Sequence, residues 1–216
     1  MPISTVIYLI PFEDVALRPT MGHYAHAAFL SILHQVEAEK AEEVHHASAQ
    51  KPFTVSPLIG KGERQGANLR IRAGTECSLR YTFLDDELFA YFGNAFLNEG
   101  LPSIRLGGAT FQLSRLVASN TEAQSWSGNA TYEDLIAAAQ AQKRIHLRFY
   151  SPTAFREQTP RGEKTWNRPG IDLVRCYQSW SNKWNAFAPV PIDKQELLPF
   201  IENHAGLIRI RTHTQM

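Results

Sequence analysis

Residues 78–117 decide the fold and read SLRYTFLDDELFAYFGNAFLNEGLPSIRLGGATFQLSRLV. The stretch opens with an alternating strand, Ser78 to Phe83, and passes into helical periodicity from Asp85 to Asn98. A glycine and a proline then end the helix. Two further strand-like segments follow, Ser103 to Leu106 and Thr110 to Val117. This order of strand, helix and strands is the second half of a split βαβ unit.

The residues before this stretch supply the first half of the same unit. Ile3 to Ile10 is a β-branched and aromatic run that predicts a buried strand. Pro19 introduces one long helix whose charged tail covers Glu37 to Glu43. Short strands are expected at Phe53 to Val55 and Leu69 to Arg72. The core-facing stripe of the helix is expected to be Ala25, Phe29, Ile32, Leu33 and Val36. We therefore predict an α+β fold with a ferredoxin-like (RRM-like) domain.

A polar segment, Ser119 to Asn129, suggests a boundary and divides the chain into domains at 1–118 and 119–216. The second part repeats some of the theme, so the fold class becomes tandem ferredoxin-like domains with the second incomplete. Its core is predicted to contain Trp180, Trp184, Phe187 and Phe200. The expected elements are helices at Tyr132 to Gln142, Asp172 to Phe187 and Lys194 to Asn203, and strands at Arg144 to Tyr150 and Leu207 to Thr212.

Composition excludes several classes of protein. The chain has 216 residues, 44% hydrophobic, with a formal net charge of +1 and two cysteines. It is long enough to bury a core, and it carries no global field that attracts nucleic acid or membrane. A disulfide scaffold is excluded, and no stretch approaches the ~18 apolar residues of a membrane span. We expect a cytoplasmic protein with no membrane partner.

The histidines give the first candidate site. His23 and His26 stand three residues apart on the predicted helix and could share a metal ion, although a zinc site needs three or four ligands. His45 and His46 end the helix, where a cation is favoured and an imidazole can act as acid or base near neutral pH. The alternative for this pair is two exposed polar residues at a helix end.

Basic residues cluster between positions 51 and 80. The cluster contains Lys51, Lys61, Arg64, Arg70, Arg72 and Arg80, with Glu63 and Glu76 as its acids. Arg70 and Arg72 alternate along one predicted strand and so should project from the same face. Nucleic-acid binding explains the local excess, and a solvated sheet face is the alternative. Further along, Ser151 to Arg156 predicts a tight exit turn after a strand.

Three of these stretches together resemble a known family. They are His45-His46, the block Lys51-Pro52-Phe53-Thr54-Val55-Ser56-Pro57-Leu58, and Ser151-Pro152-Thr153-Ala154-Phe155-Arg156. They resemble, in collinear order, the CRISPR-associated endoribonucleases of the sixth Cas protein family, within the RAMP superfamily. The resemblance implies tandem ferredoxin-like domains and metal-independent cleavage of precursor CRISPR RNA, with neither cofactor nor metal ion.

The resemblance also assigns roles to residues. It implies that His45 is catalytic, that His46 is the neighbour with which it can be confused, and that Lys51 joins the site. The expected partners are repeat RNA, precursor and mature, and other Cas subunits of a Cascade-like complex. Its phosphates are expected at Lys61, Arg64, Arg70, Arg72, Arg80 and Arg156.

Two further readings stay open. The family's glycine-rich C-terminal segment is not in this sequence, so a non-catalytic subunit that holds repeat RNA is a serious alternative. A metal-dependent hydrolase using His23 and His26 is the third.

Overall fold

The computed structural model describes residues 1–18, 21–46, 50–98, 103–119, 126–149, 154–158 and 165–206, with the backbone alone at 98, 154, 156–158 and 165–169. The strands are β1 Ile3–Pro11, β2 Val15–Leu17, β3 Phe53–Val55, β4 Ile59–Gly60, β5 Glu63–Gln65, β6 Asn68–Ile71, β7 Cys77–Phe83, β8 Ser103–Leu106, β9 Ala109–Val117, β10 Gly128–Asn129, β11 Ala154–Gln158 and β12 Thr165–Pro169. The helices are α1 Gly22–Val36, α2 Ala38–His46, α3 Asp86–Asn98, α4 Tyr132–Ala137, α5 Leu173–Phe187 and α6 Lys194–His204.

The chain divides into two compact units, Met1–Ala138 and Ala139–Met216. They are called the first and the second unit below. The first unit includes β10, which pairs with β1, and α4, whose Tyr132 hydroxyl donates a 2.9 Å hydrogen bond to the carbonyl of Leu84. These contacts explain why the first unit extends beyond the boundary expected after residue 118.

An antiparallel sheet organises the first unit. Its strand order is β3-β7-β1-β9-β8, with β10 added on β1 and β4 on β7. In β1, Ile3 pairs with Phe83 of β7, and Pro11 pairs with Phe111 of β9. Strands adjacent in space but separated in sequence by helices are what a split βαβ order produces. The predicted α+β class and the ferredoxin-like arrangement of this unit are therefore confirmed.

The helices of the first unit cover the sheet with an aromatic core. Phe29 of α1 is fully buried and stacks on Phe53 of β3 and Phe92 of α3, with ring centroids 4.1 and 5.4 Å apart. Alternate residues of β7, namely Leu79, Tyr81 and Phe83, point into this core and are fully buried. The predicted helical stripe is confirmed, because Ala25, Phe29, Ile32 and Leu33 are buried and Val36 packs against them.

The prediction of one long helix after Pro19 was wrong. The helix breaks at Glu37, whose backbone is extended with φ −147° and ψ 91°, and α2 begins at Ala38. Residues 33–46 contain no glycine or proline, so the periodicity gave no sign of a break. The break makes α2 a separate helix whose Ala41 and Val44 are buried in the core. This helix carries the candidate site.

A small second sheet lies in the first unit, in the order β2-β6-β5. It was only partly predicted, because the strand at Leu69 to Arg72 was expected but its two neighbours were not. Glu63 of β5 pairs with Arg70 of β6, and Val15 of β2 pairs with Ile71. Gly66 forms the hairpin turn with a φ of +61°, a conformation that glycine adopts without steric cost.

The second unit contains one hairpin and two long helices. Strand β11 pairs antiparallel with β12, where Ala154 opposes Pro169. Helix α5 begins at Asp172, whose side chain accepts a hydrogen bond from the amide of Arg175. The connection to α6 is held by Asn185, which exchanges hydrogen bonds of 2.8 and 2.7 Å with the backbone of Ile192. Both helices were predicted with these ends to within a residue or two.

Several expectations for the second part were wrong. Helix α4 ends at Ala137 rather than at Gln142, and 144–149 form no strand. The alternating Ile145, Leu147 and Phe149 are 61%, 43% and 36% exposed. A strand needs a ladder of backbone hydrogen bonds with a neighbouring strand, and no strand among the described residues forms such a ladder with this segment. The strand expected from Leu207 to Thr212 and residues 151–153 of the exit turn lie outside the described residues.

The predicted core of the second unit is also only partly confirmed. Trp184 and Phe187 are half-buried, but Trp180 is 41% exposed and Phe200 is 57% exposed. Their spacing correctly predicted a helix, yet spacing does not supply a surface for the apolar face to pack on. That this unit is an incomplete ferredoxin-like domain stays a prediction.

Candidate active site

The end of α2 is held by a lysine that lies in the connection between α2 and β3. The Lys51 ammonium donates hydrogen bonds to the backbone carbonyls of Val44, at 2.6 Å, and of His45, at 2.7 Å. The last carbonyls of a helix have no partner within the helix, and a lysine is a suitable donor for them. Lys51 therefore holds the backbone at His45 in place. In this geometry it is a positioning residue.

Lys51 is itself placed by the block that follows it. Phe53 is 4% exposed and pairs with Phe83 of β7, while the amide of Leu84 donates to the carbonyl of Pro52. Ser56 continues the pairing, since its hydroxyl accepts a 2.9 Å hydrogen bond from the amide of Arg80. The Lys-Pro-Phe-Thr-Val-Ser block thus sits along β7 and delivers Lys51 to the end of α2.

The two adjacent histidines are in different surroundings. Both are exposed in the last turn of α2. His46 Nε2 lies 3.1 Å from a carboxylate oxygen of Glu42, one helical turn earlier. The His45 ring lies against that of His46, with centroids 4.9 Å apart. Glu42 therefore engages His46 rather than His45.

His26 belongs to the same neighbourhood, which the sequence did not reveal. It lies on α1, is half-buried, and stacks on Phe53 with ring centroids 5.3 Å apart. Burial lowers the pKa of His26, and the nearby charges of Lys51 and His45 lower it further. The structure thus brings His26 together with His45 and Lys51 from three separate elements. Its position three residues before Phe29 was the available signal, but the placement of Phe53 against α1 is a tertiary fact.

The alternative in which His23 and His26 share a metal ion receives no support. The His23 ring contacts that of the adjacent Tyr24, with centroids 3.8 Å apart. The residues that the structure describes contain one group of three potential metal ligands, and it consists of Glu42, His45 and His46. A metal site built on His23 and His26 would lack further ligands within the described ranges.

Four of the predicted RNA-binding residues lie on or beside the β5–β6 hairpin. Lys61 and Arg64 are exposed there. Arg70 is ion-paired with Asp14 at 2.8 Å, and Arg72, just beyond β6, is ion-paired with Glu63 at 2.8 Å. An amide hydrogen bond from Ala73, together with Arg70, lowers the pKa of Asp14.

These ion pairs bear on binding to a phosphate. Both arginines are about half or more exposed, so each ion pair is screened by solvent and weak. Each arginine can therefore exchange its carboxylate partner for a phosphate at small cost.

Arg80 stands apart from the hairpin. Its neighbours Leu79 and Tyr81 face the helices, so Arg80 projects from the opposite face of the main sheet. There its Nε donates to the hydroxyl of Ser4.

Arg115, which the sequence analysis missed, belongs to the central sheet as well. It lies 3.6 Å from the ring centroid of Tyr8 on the neighbouring strand β1. Arg156 of β11 is described by its backbone only. Within the first unit, the predicted RNA-binding residues therefore lie in two places, the β5–β6 hairpin and the main sheet.

No helix within the described ranges combines the length and the apolar composition needed to cross a membrane.

Comparisons with known proteins identify the family. Residues 1–137 match the family model of the CRISPR Cas6 N-terminal domain. The chain belongs to the Cas6 family. The resemblance inferred from the His45-His46 and Lys-Pro-Phe motifs is therefore confirmed. No match was found among curated proteins.

Solved Cas6 structures agree with this assignment. The chain is 30% identical to the Cas6 (TTHB231) product complex, with a TM-score of 0.69 over 94% of this chain and 71% of that one. Thermus thermophilus Cas6 (TTHB231) is 29% identical, with a TM-score of 0.59, and the match covers 94% of this chain and 68% of that one. A Cas6 (TTHA0078) product complex shares the fold, with 22% identity and a TM-score of 0.64. That match covers 90% of this chain and 68% of that one.

Proposed function

We propose that this Cas6 protein cleaves precursor CRISPR RNA within its repeats, by attack of the RNA's own 2′-hydroxyl on the adjacent phosphorus. The 2′-hydroxyl loses its proton as the new P–O bond forms, and the departing 5′-oxygen takes up a proton as the old bond breaks. The products are a 2′,3′-cyclic phosphate and a 5′-hydroxyl. No metal ion is required, because the nucleophile and both proton transfers come from RNA, protein and water.

The observation that carries this proposal is the hydrogen bond from the Lys51 ammonium to the backbone carbonyl of His45, which fixes the backbone of that histidine. An exposed imidazole on a fixed backbone can meet a bound phosphodiester and move one of the two protons. A positioned histidine contributes ~10²–10⁴-fold to such a reaction. Holding the RNA in line for attack supplies a further several kcal/mol. These two effects account for a slow cleavage that need not turn over.

The remaining members of the site have supporting roles. Lys51 fixes the end of α2, and its positive charge also favours a phosphate near His45. His26, stacked on Phe53, lies beside both residues and is the third polar group that would face the RNA. His46, engaged with Glu42, is assigned a minor part.

RNA binding would use the basic residues outside this centre. A-form stems are recognised by shape and phosphate contacts, and single strands by stacking and base edges. The exposed hairpin with Lys61, Arg64, Arg70 and Arg72 suits phosphates, and Arg115 over Tyr8 suits a base or a phosphate. Arg80 and Arg156 remain candidates. We extend the proposal to retention of the product and to assembly with other Cas subunits in the cytoplasm, where the RNA is made.

The direct experiment is to incubate end-labelled repeat RNA with the protein in the presence of EDTA. We expect one cut, with a 2′,3′-cyclic phosphate on the upstream fragment. Cleavage that EDTA abolishes would instead indicate a metal-dependent hydrolase. Tight, salt-sensitive binding with no cleavage would indicate the non-catalytic subunit that holds repeat RNA.

A further inference from the structure

Glu42, His45 and His46 share one face of the last turns of α2. They stand at positions i, i+3 and i+4, a spacing that brings helical side chains together. One potential ligand atom from each lies within 4.8 Å of the other two. Glu42 and His46 are closer, at 3.1 Å. All three side chains are exposed, so an ion can reach them from solvent.

These ligand types and distances match a transition-metal site. Two imidazoles and a carboxylate are donors that zinc accepts, with bonds of about 2.0–2.2 Å. Two ligands on one tetrahedral ion then lie roughly 3.3–3.6 Å apart. Glu42 and His46 are already near that separation, and His45, with a ligand atom within 4.8 Å of both, is exposed on the same helix.

We propose that Glu42, His45 and His46 bind a divalent first-row transition-metal ion such as Zn²⁺, with water at the fourth position, and that the ion switches RNA cleavage off. The inhibitory part rests on the proposed function, because it requires His45 to move a proton. A metal ion bound to the His45 nitrogen occupies the lone pair needed for that transfer. The metal-binding part does not depend on RNA chemistry.

The surrounding charges set the expected strength of binding. Lys51 contacts the His45 carbonyl and repels a cation, whereas the Glu42 carboxylate offsets that charge. Three exposed ligands on one short helix also form an open site, unlike the closed four-ligand sites that stabilise folds. We therefore expect a reversible ion that chelators remove without unfolding the protein.

Metal binding is tested on the full chain without RNA. Zn²⁺ is titrated by calorimetry, and Co²⁺ by visible absorption, into the wild type, Glu42→Gln and Glu43→Gln. Glu43 is the matched control, since its loss removes the same charge from the same helix but leaves the three ligands intact. We expect one ion per chain, at least tenfold weaker binding in Glu42→Gln, and less than a twofold change in Glu43→Gln. Equal affinity in Glu42→Gln and wild type would overturn the site.

Inhibition is tested separately by cleavage assays with increasing Zn²⁺. The wild type should lose activity and regain it when EDTA is added, and Glu42→Gln should require at least tenfold more Zn²⁺ for the same loss. Full activity in wild type saturated with Zn²⁺ would overturn the inhibitory part. A wild type that cleaves nothing even in EDTA would contradict the proposed function, while calorimetry would still decide the metal site.

Discussion

The two units of this chain use similar helical patterns with different results. In α1 the apolar residues at three- and four-residue steps are buried against the main sheet and helix α3, and Phe29 has no exposed surface. In α5 and α6 comparable spacing leaves Trp180 and Phe200 substantially exposed. Within the described residues of the second unit, the buried side chains are Cys176, Ser181 and Ile201. An amphipathic pattern thus determines a helix but not what the helix packs on.

The largest expected difference between the units comes from one substitution in each. Phe29→Ala removes a fully buried ring that contacts Phe53 and Phe92, and should lower the free energy of unfolding of the first unit by about 3–5 kcal/mol. Phe200→Ala removes a ring that is 57% exposed and should cost less than about 1 kcal/mol. Denaturant unfolding of the full chain, followed separately in each unit by hydrogen exchange, measures both. Equal losses would contradict the comparison.

The two cysteines report the opening of each unit. Cys77 and Cys176 are 1% and 3% exposed, and burial raises the pKa of both thiols, that of Cys77 to about 11. Because the described part of the second unit buries few apolar side chains, this unit should open more often, and Cys176 should react with iodoacetamide at least ~100-fold faster than Cys77. Mass spectrometry of the labelled peptides gives both rates. Similar slow rates at the two sites would show that the second unit is as well packed as the first.

The site in the better-packed unit should tolerate loss of its positioning residue. Lys51→Met removes two hydrogen bonds from the end of α2, worth about 1–2 kcal/mol locally, and we expect about tenfold slower cleavage without global unfolding. RNA affinity should change far less than the rate. Lys51→Arg, which keeps the charge and donor groups, should recover part of the activity. If Lys51→Met failed to fold, Lys51 would be a residue that the fold requires rather than one that positions His45.

The smallest effect is expected on the hairpin of the first unit. If Arg70 and Arg72 exchange Asp14 and Glu63 for RNA phosphates, Arg70→Ala with Arg72→Ala should flatten the logarithmic salt dependence of binding by about one to two units. Filter binding at several salt concentrations gives the slope. Lys143→Ala with Arg144→Ala, from an exposed stretch of the second unit, is the control. A slope in the arginine double variant that is unchanged from wild type would mean that this strand faces solvent or protein instead of RNA.

Local patterns predicted much of the fold. The strand at Ile3 to Ile10, the stripe of α1, and the Asp172 and Lys194 starts of the late helices follow from periodicity and capping, which depend on neighbours in sequence. The break at Glu37 and the lack of a strand at 144–149 did not follow. Both depend on tertiary packing or on a pairing partner, and neither has a signature in the local residues.

The candidate site was predictable to the same extent as the fold, in its local parts but not in its tertiary contacts. The placement of His45 and His46 at a helix end was expected from the periodicity, and the membership of Lys51 was expected from the family resemblance. The approach of His26 depends on how α1 lies against β3, which no local pattern encodes. The pairing of Glu42 with His46 follows a helical i, i+4 spacing, so this contact had a signal in the sequence although it was not predicted.

The most direct test of the account is the single-turnover cleavage rate of His45→Ala beside that of His46→Ala, measured on repeat RNA in EDTA. Proton transfer by His45 predicts a loss of ~10²–10⁴-fold in His45→Ala, with RNA affinity within about threefold of wild type. His46→Ala should lose much less. An inactive His46→Ala together with an active His45→Ala would contradict the assignment of the catalytic histidine and the reading of this site.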